Sequence, residues 1–422
     1  MTVTRSMAED YWRVSKWKED KVTPVKFDHL YAWFLVSCEN LAQVHSTLGW
    51  FLSDLYHRND QNVQEFEGQK EIYLYDLMSR VSSSPEKTLT TCVEKVNASI
   101  DRIRECYAGM KSYTDIKLVT MIVTDCCFIL EFLEKESLLK DRLLVTYIVG
   151  DLMLLENQIP FFILQEIFDC SILKSTSTAS LTNMLREIQP YINPFNEHLN
   201  IRTDGTDTTH DHILGFFHRS YHFAYTKPSS FSGRSTVHSA AELIRAGVNF
   251  KPNEDSKWAL DIKYEPSRTC VYLPWGKPTL RMPQLYIDDD TELVIRNFIA
   301  YEQTSTLVDY SFTSYAHAID MLVDTQDDVA KLIESKVVIN NLGSNEEAAR
   351  LINGICKEIY LKEFYYRPQW VQLDRYYMGY WPRNIAQLRR TYFSSPWNAI
   401  ALLAGIVLFA VTIVQTIFTI KN

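Results

Sequence analysis

The chain has 422 residues, 46% hydrophobic and 23% charged, which excludes a disordered polymer and allows one large domain or two ordinary ones. A net charge of −9 excludes the basic face of a general nucleic-acid binder, so no nucleic-acid partner is expected. The eight cysteines show no CxxC spacing, and Cys126 and Cys127 are adjacent, which fits reduced, mostly buried thiols better than a disulfide scaffold.

Residues 1–26 are polar, carry Trp12 and Trp17, lack the apolar core of a signal peptide, and read as an N-terminal extension. The apolar run 30–36 is too short to span a bilayer. Helical spacing starts at Phe66 and continues through Tyr73, Leu74 and Leu77 to Arg80, where Ser82-Ser83-Ser84-Pro85 ends it. Residues 93–107 and 118–133 read as two further helices, and 143–168 as a helical hairpin at the centre of this half.

That hairpin organises the reading of the chain. Apolar residues run from Tyr147 to Phe162, yet Asp151 and the trio Glu156-Asn157-Gln158 sit among them. A helix ending near Glu156 leaves carbonyls without partners, and one beginning at Pro160 leaves amides without partners. Proline suits the first helical position, having no N–H to leave unbonded. The acid and amide side chains between the two helices are expected to satisfy both ends in a dry corner.

Two polar stretches follow, 202–211 and 226–236, and both read as surface loops. Gly247 is placed to end the helix of Ser239 to Ala246 in a left-handed conformation. Short apolar runs at 260–264, 270–273 and 279–282 predict a small antiparallel sheet at about 258–283. Asp290 or Thr291 reads as a helix start, and Ser344 with Glu347 as a capping box.

The run Asp151-Leu-x-Leu-Leu-Glu-Asn-Gln-Ile-Pro-Phe-Phe resembles the signature of the plant DUF247 family, also known as UPF0481. Similar matches are Arg104-Glu-Cys106-Tyr107, Asp125-Cys126-Cys127-Phe128, Ser239-Ala240-Ala241-Glu242-Leu243, Asn297-Phe298-Ile299-Ala300, Asp327-Asp328-Val329 and Asn340-x-Leu342-Gly343-Ser344. The resemblance covers roughly 64–422 and departs over the first sixty residues, where Leu48-Gly49-Trp50 and Tyr56-His57 replace the family's Gly-Pro-Tyr-His-like turn. It implies a plant membrane protein, of a family in which some grass members are implicated in pollen–pistil self-incompatibility.

The run 399–420, from Ala399 through Gly405 to Ile420, is 22 residues without a charge. At about 1.5 Å per residue it reaches roughly 33 Å, which predicts a transmembrane helix acting as a C-terminal anchor in the lipid bilayer. Lys357, Lys362, Arg367, Arg375, Arg383, Arg389 and Arg390 precede it, interleaved with Tyr376, Tyr377, Tyr380 and Trp381. The nearest charges, Arg383, Arg389 and Arg390 against Lys421 alone, lead to the expectation that the large domain faces the cytosol. Ala401 and Gly405 form a small-xxx-small pair that lets two such helices approach, as a homo- or hetero-oligomer requires.

No catalytic motif with its context is present, and no cofactor is expected. The spacing of His210, His212, His218 and His222 suits zinc in principle, although packed histidines explain it as well. Ser171 and Lys174 form a Ser-x-x-Lys pair without partners in sequence, as do Ser137 and Lys140. Asp125 and Cys126 lie in an apolar run and read as buried fillers, and Asp288-Asp289-Asp290 as a solvated helix start.

The expected architecture is therefore mainly α (α+β): an extension at 1–26, a single large helical domain over 27–390 with its small antiparallel sheet, and an anchor over 391–422. The expected function is recognition of an unidentified protein partner or signalling, without catalysis. The alternative is an enzyme whose site is assembled from distant residues.

Overall fold

The computed structural model describes residues 61–107, 113–135, 142–176, 178–195, 210–221, 238–254, 258–266, 277–305, 308–357, 359–379 and 396–421. The N-terminal extension, the loop 226–236, most of the loop 202–211, the expected strand 270–273, His222, the pair Ser137 and Lys140, and the arginines 383, 389 and 390 lie outside them. The chain forms two compact units interleaved in sequence. The first comprises Met1–Asn193, Arg202–Ser220 and Leu293–Thr304; the second comprises Pro194–Ile201, Tyr221–Glu292 and Ser305–Asn422.

The first unit is helical and is built around helix Asp115–Lys135. From Leu118 to Leu133 every residue of this helix except Thr120 is buried, as expected for a helix apolar on all sides. Helices Gln61–Val81, Pro85–Ala98 and Phe161–Cys170 pack against it. Its two buried acids are paired with cations. Asp125 lies 2.8 Å from the buried Lys70, while Glu131 lies 2.6 Å from Arg80 and 2.9 Å from Lys135. The single helix expected over 93–107 is two, Pro85–Ala98 and Ile100–Glu105, because the chain leaves helical geometry at Ser99 (φ −103°, ψ 9°). Pro85 opens the first of these in the position where its missing N–H does no harm.

The second unit holds the strands and the remaining helices. Helix Ala240–Ala246 ends at Gly247, whose φ of 102° is the left-handed stop expected there. The turn feeds β1 (Asn249–Pro252), followed by β2 (Lys263–Glu265), β3 (Thr279–Met282), β4 (Leu285–Ile287) and β5 (Val338–Asn340). One sheet runs in the order β1-β3-β2, with β3 parallel to β1 and antiparallel to β2; β4 and β5 form a separate parallel pair. The small sheet is thus mixed, which corrects the antiparallel expectation. Its parallel edge is Asn-Phe-Lys-Pro, too short and too polar to announce a strand, and the chain crosses over before β3 pairs with it.

Asp328 ties the helical part of this unit together. Its carboxylate accepts from the Ala241 amide at 2.9 Å and from the Thr325 amide and hydroxyl, each at 3.0 Å, closing a capping box on helix Gln326–Glu334. Ser344 caps helix Asn345–Ile355, accepting from the Glu347 amide at 3.1 Å.

The expected transmembrane helix is not borne out: among the described residues no helix is long and apolar enough to cross a membrane. In helix Pro396–Lys421 the unbroken run with described surroundings is 400–416. Thr412 and Thr416 fold their hydroxyls back onto Leu408 and Thr412 carbonyls, each at 2.8 Å. A Cβ at Gly405 would meet open space, and the surroundings of Ala399 and Ile420 lie outside the described residues. Leu403, Leu408 and Phe409 are 64%, 67% and 69% exposed.

Candidate functional site

The signature residues lie together in the first unit at a corner between helices Arg142–Met153 and Phe161–Cys170. The first helix stops at Met153, and Leu155–Asn157 forms a single 3-10 turn rather than extending the helix to Glu156. Asp151 is buried in the last turn of the first helix, Asn157 and Gln158 are buried in the corner, and Glu156 is exposed. Pro160 stands at the N-cap position, one residue ahead of Phe161, where the second helix begins.

Gln158 does most to close the corner. Its Nε2 donates to the Leu152 and Leu154 carbonyls at 2.8 and 2.7 Å, taking up acceptors that the ended helix leaves open. Its Oε1 accepts from the Leu214 amide at 2.9 Å, in the first turn of helix Ile213–Ser220. One side chain therefore finishes one helix and starts another 56 residues further on. The Tyr107 hydroxyl donates to the Gln158 carbonyl at 3.0 Å, and Asn297 Oδ1 accepts from the Leu155 amide at 2.9 Å. The amide of Phe161 is satisfied by the Asp211 carbonyl at 2.8 Å, not by a side chain of the corner.

Three histidines adjoin this arrangement, each with its own local role. His212 Nδ1 accepts from the Gly215 amide at 2.9 Å, so the ring acts as a helix cap and its proton is assigned to Nε2. Burial pushes this histidine down to about 4, keeping it neutral. His210 packs edge-on against Phe161 and Phe216, with ring centres 5.1 Å from each, and burial also brings it to about 4. His218 is fully buried, its Nε2 2.7 Å from Glu302 Oε1 and its ring against Phe298 and Tyr301.

The Tyr301 hydroxyl donates to Asp211 Oδ2 at 2.6 Å, and burial with that bond holds it well above the usual phenol range. A Cβ on Gly215 would come within 3.1 Å of that hydroxyl, which explains a glycine inside the helix.

The expected chemical alternatives separate in space. Among the described residues no group of three or more His, Cys, Asp or Glu side chains could hold a metal ion. Ser171 is buried and its hydroxyl donates to the Ile167 carbonyl at 2.5 Å, so Ser171 and Lys174 form no working pair. Asp125 faces Lys70, and Cys126 and Cys127 are fully buried. Asp290 is pushed up to about 6 by burial and by Asp288 and Asp289, while the Thr291 hydroxyl bonds Asp288 at 2.7 Å. The reach of Gln158 to Leu214 and the capping ring of His212 were not foreseen. The only sequence signal for the latter is its place just ahead of an apolar helical run, where N-cap residues stand.

A helical protein closed by a buried glutamine corner is the class these features define. The chain belongs to the DUF247 family, plant proteins of unknown function, whose sequence model matches residues 55–411. Two UPF0481 proteins of Arabidopsis thaliana are similar to it. At3g02645 is 24% identical over 76% of this chain and 78% of its own length; At3g47200 is 24% identical over 86% and 80%. No solved structure matches the chain.

Proposed function

We propose that this protein works by recognising another protein and that its family signature maintains the fold rather than a reaction. The observation that carries the reading is the use made of the signature's amide and its neighbours. Gln158, His212 and Asn297 direct their polar atoms at main-chain groups of helix ends, and the Asp211 carboxylate takes up the Tyr301 hydroxyl. Groups bonded in this way are unsuited to nucleophilic or acid–base roles, which need a free lone pair or proton facing substrate.

The second support is helix Pro396–Lys421. Its run from Ile400 to Val414 carries large apolar side chains that are about half exposed or more, and no charge. Exposed apolar area on this scale marks a contact surface, and an uncharged face fits a protein partner whose own contact face is apolar. Signalling of the self-incompatibility type, which the family resemblance suggests for some grass members, is one setting for such recognition.

The test begins with proximity labelling by the full-length chain in plant tissue, followed by binding of the purified candidate to wild type and to the L403D/F409D variant. Tight binding by wild type and at least a tenfold loss in the variant support the proposal. Equal binding by both, self-association of the chain as its sole use of that helix, or turnover of a defined substrate would overturn it.

A further inference from the structure

The first unit contains a thiol pair outside the signature corner. Cys92 sits mid-way along helix Pro85–Ala98, Cys170 is the last residue of helix Phe161–Cys170, and the two helices pack together. Their sulfurs are 3.1 Å apart, about 1 Å beyond a covalent disulfide of roughly 2.05 Å, so a small side-chain adjustment would join them. Cys92 is fully buried, whereas Cys170 is part-exposed at the helix end and open to a small oxidant.

We propose that Cys92 and Cys170 are an oxidation site, converted by hydrogen peroxide into a disulfide that staples helix Pro85–Ala98 to the end of helix Phe161–Cys170. The chemistry balances in two steps. The Cys170 thiolate attacks one peroxide oxygen, the O–O bond breaks, and the departing hydroxide leaves as water after taking a proton, giving Cys170 sulfenic acid. Cys92 sulfur then attacks Cys170 sulfur, the S–O bond breaks, and hydroxide leaves as water with the Cys92 proton. Two thiols lose two electrons and two protons, and peroxide is reduced to two waters.

The surroundings assign the two roles. The hydrogen bond shared with Cys92 lowers Cys170, with Lys95 adding to the effect, and the part-exposed Cys170 is the attacking thiolate. The same bond, together with burial, raises Cys92 well above the usual thiol range, which leaves it to resolve the sulfenic acid. Cys126 and Cys127 are fully buried, and burial raises both. They lack the entry that Cys170 has.

The test treats the full-length chain with stoichiometric hydrogen peroxide, blocks remaining thiols, and maps cross-linked peptides by mass spectrometry. A Cys92–Cys170 peptide as the first cross-link, reversed by dithiothreitol, absent from C92S and C170S and unchanged in C106S, is the expected result. The oxidised chain should unfold about 5–10 °C above the reduced one, because the bridge closes a long loop. Oxidation confined to the exposed Cys106, a Cys127–Cys170 link, or Cys170 accumulating as sulfinic acid without a cross-link would overturn it. Because the wild-type map alone decides between these outcomes, the proposal stands or falls even if a serine variant fails to fold.

Discussion

Replacing Gln158 by Leu removes the polar atoms of the corner while keeping most of its volume. Three hydrogen bonds go: two from Nε2 to the Leu152 and Leu154 carbonyls and one from the Leu214 amide to Oε1. At about 1 kcal/mol net for each bond the loss is about 3 kcal/mol. The buried Leu214 N–H left without an acceptor adds about 1–3 kcal/mol, and the extra apolar burial of leucine returns about 1 kcal/mol. Q158L should therefore destabilise the first unit by about 3–5 kcal/mol.

Q158E makes the same point by a different route. A carboxylate can still accept from Leu214, but it sets an acceptor against two carbonyls where Nε2 now donates. Urea unfolding gives the global shift, and amide exchange at Leu214 reports the local bond. A midpoint shift equivalent to less than about 1 kcal/mol, with Leu214 as protected as in wild type, would refute the reasoning.

Three other predictions rest on separate contacts. K70M alone should cost about 3–5 kcal/mol by removing the cation 2.8 Å from the buried Asp125 carboxylate, whereas K70M/D125L should recover most of the loss; denaturation of both variants decides it. G247A should cost about 1–2 kcal/mol, since the residue holds φ 102° and its Cβ would lie 3.2 Å from the Tyr376 hydroxyl, and thermal unfolding reads this directly. His212, at about 4 when folded against an ordinary 6.5, binds fewer protons folded than unfolded between those values. Its contribution is complete above pH 6.5 and is lost as pH falls towards 4, about 2 kcal/mol after allowing for its partial exposure. H212N keeps a helix-cap acceptor without the titration, so its stability should change less than that of wild type between pH 6.5 and 5.

Local chemistry made much of the fold readable in advance. The helices around Tyr73 and Leu77 and around Phe128, the left-handed stop at Gly247 and the cap at Ser344 follow from apolar spacing and from single residues with one conformational use. The corner was legible as a place where two helix ends meet. The partner of Gln158 was not, because no local pattern ties it to an amide 56 residues away. The histidine spacing did not announce the partners these rings take: His210, His212 and His218 face an aromatic pair, a helix amide and Glu302 respectively.

The sheet was misread where β1 pairs in parallel, since so short a strand carries no directional signal. The anchor expectation rested on counting uncharged residues over 399–420, whereas among the described residues no helix is long and apolar enough to cross a membrane.

On the proposed function, the signature maintains the fold while an exposed apolar helix carries recognition. The most direct test measures partner binding and unfolding together on wild type, Q158L and L403D/F409D. L403D/F409D should lose at least tenfold in affinity with an unchanged unfolding midpoint. Q158L should show the reverse: a midpoint lowered by about 3–5 kcal/mol and near-normal affinity where it remains folded. A folded Q158L that loses binding or a catalytic turnover, or an L403D/F409D that binds as wild type does, would contradict it.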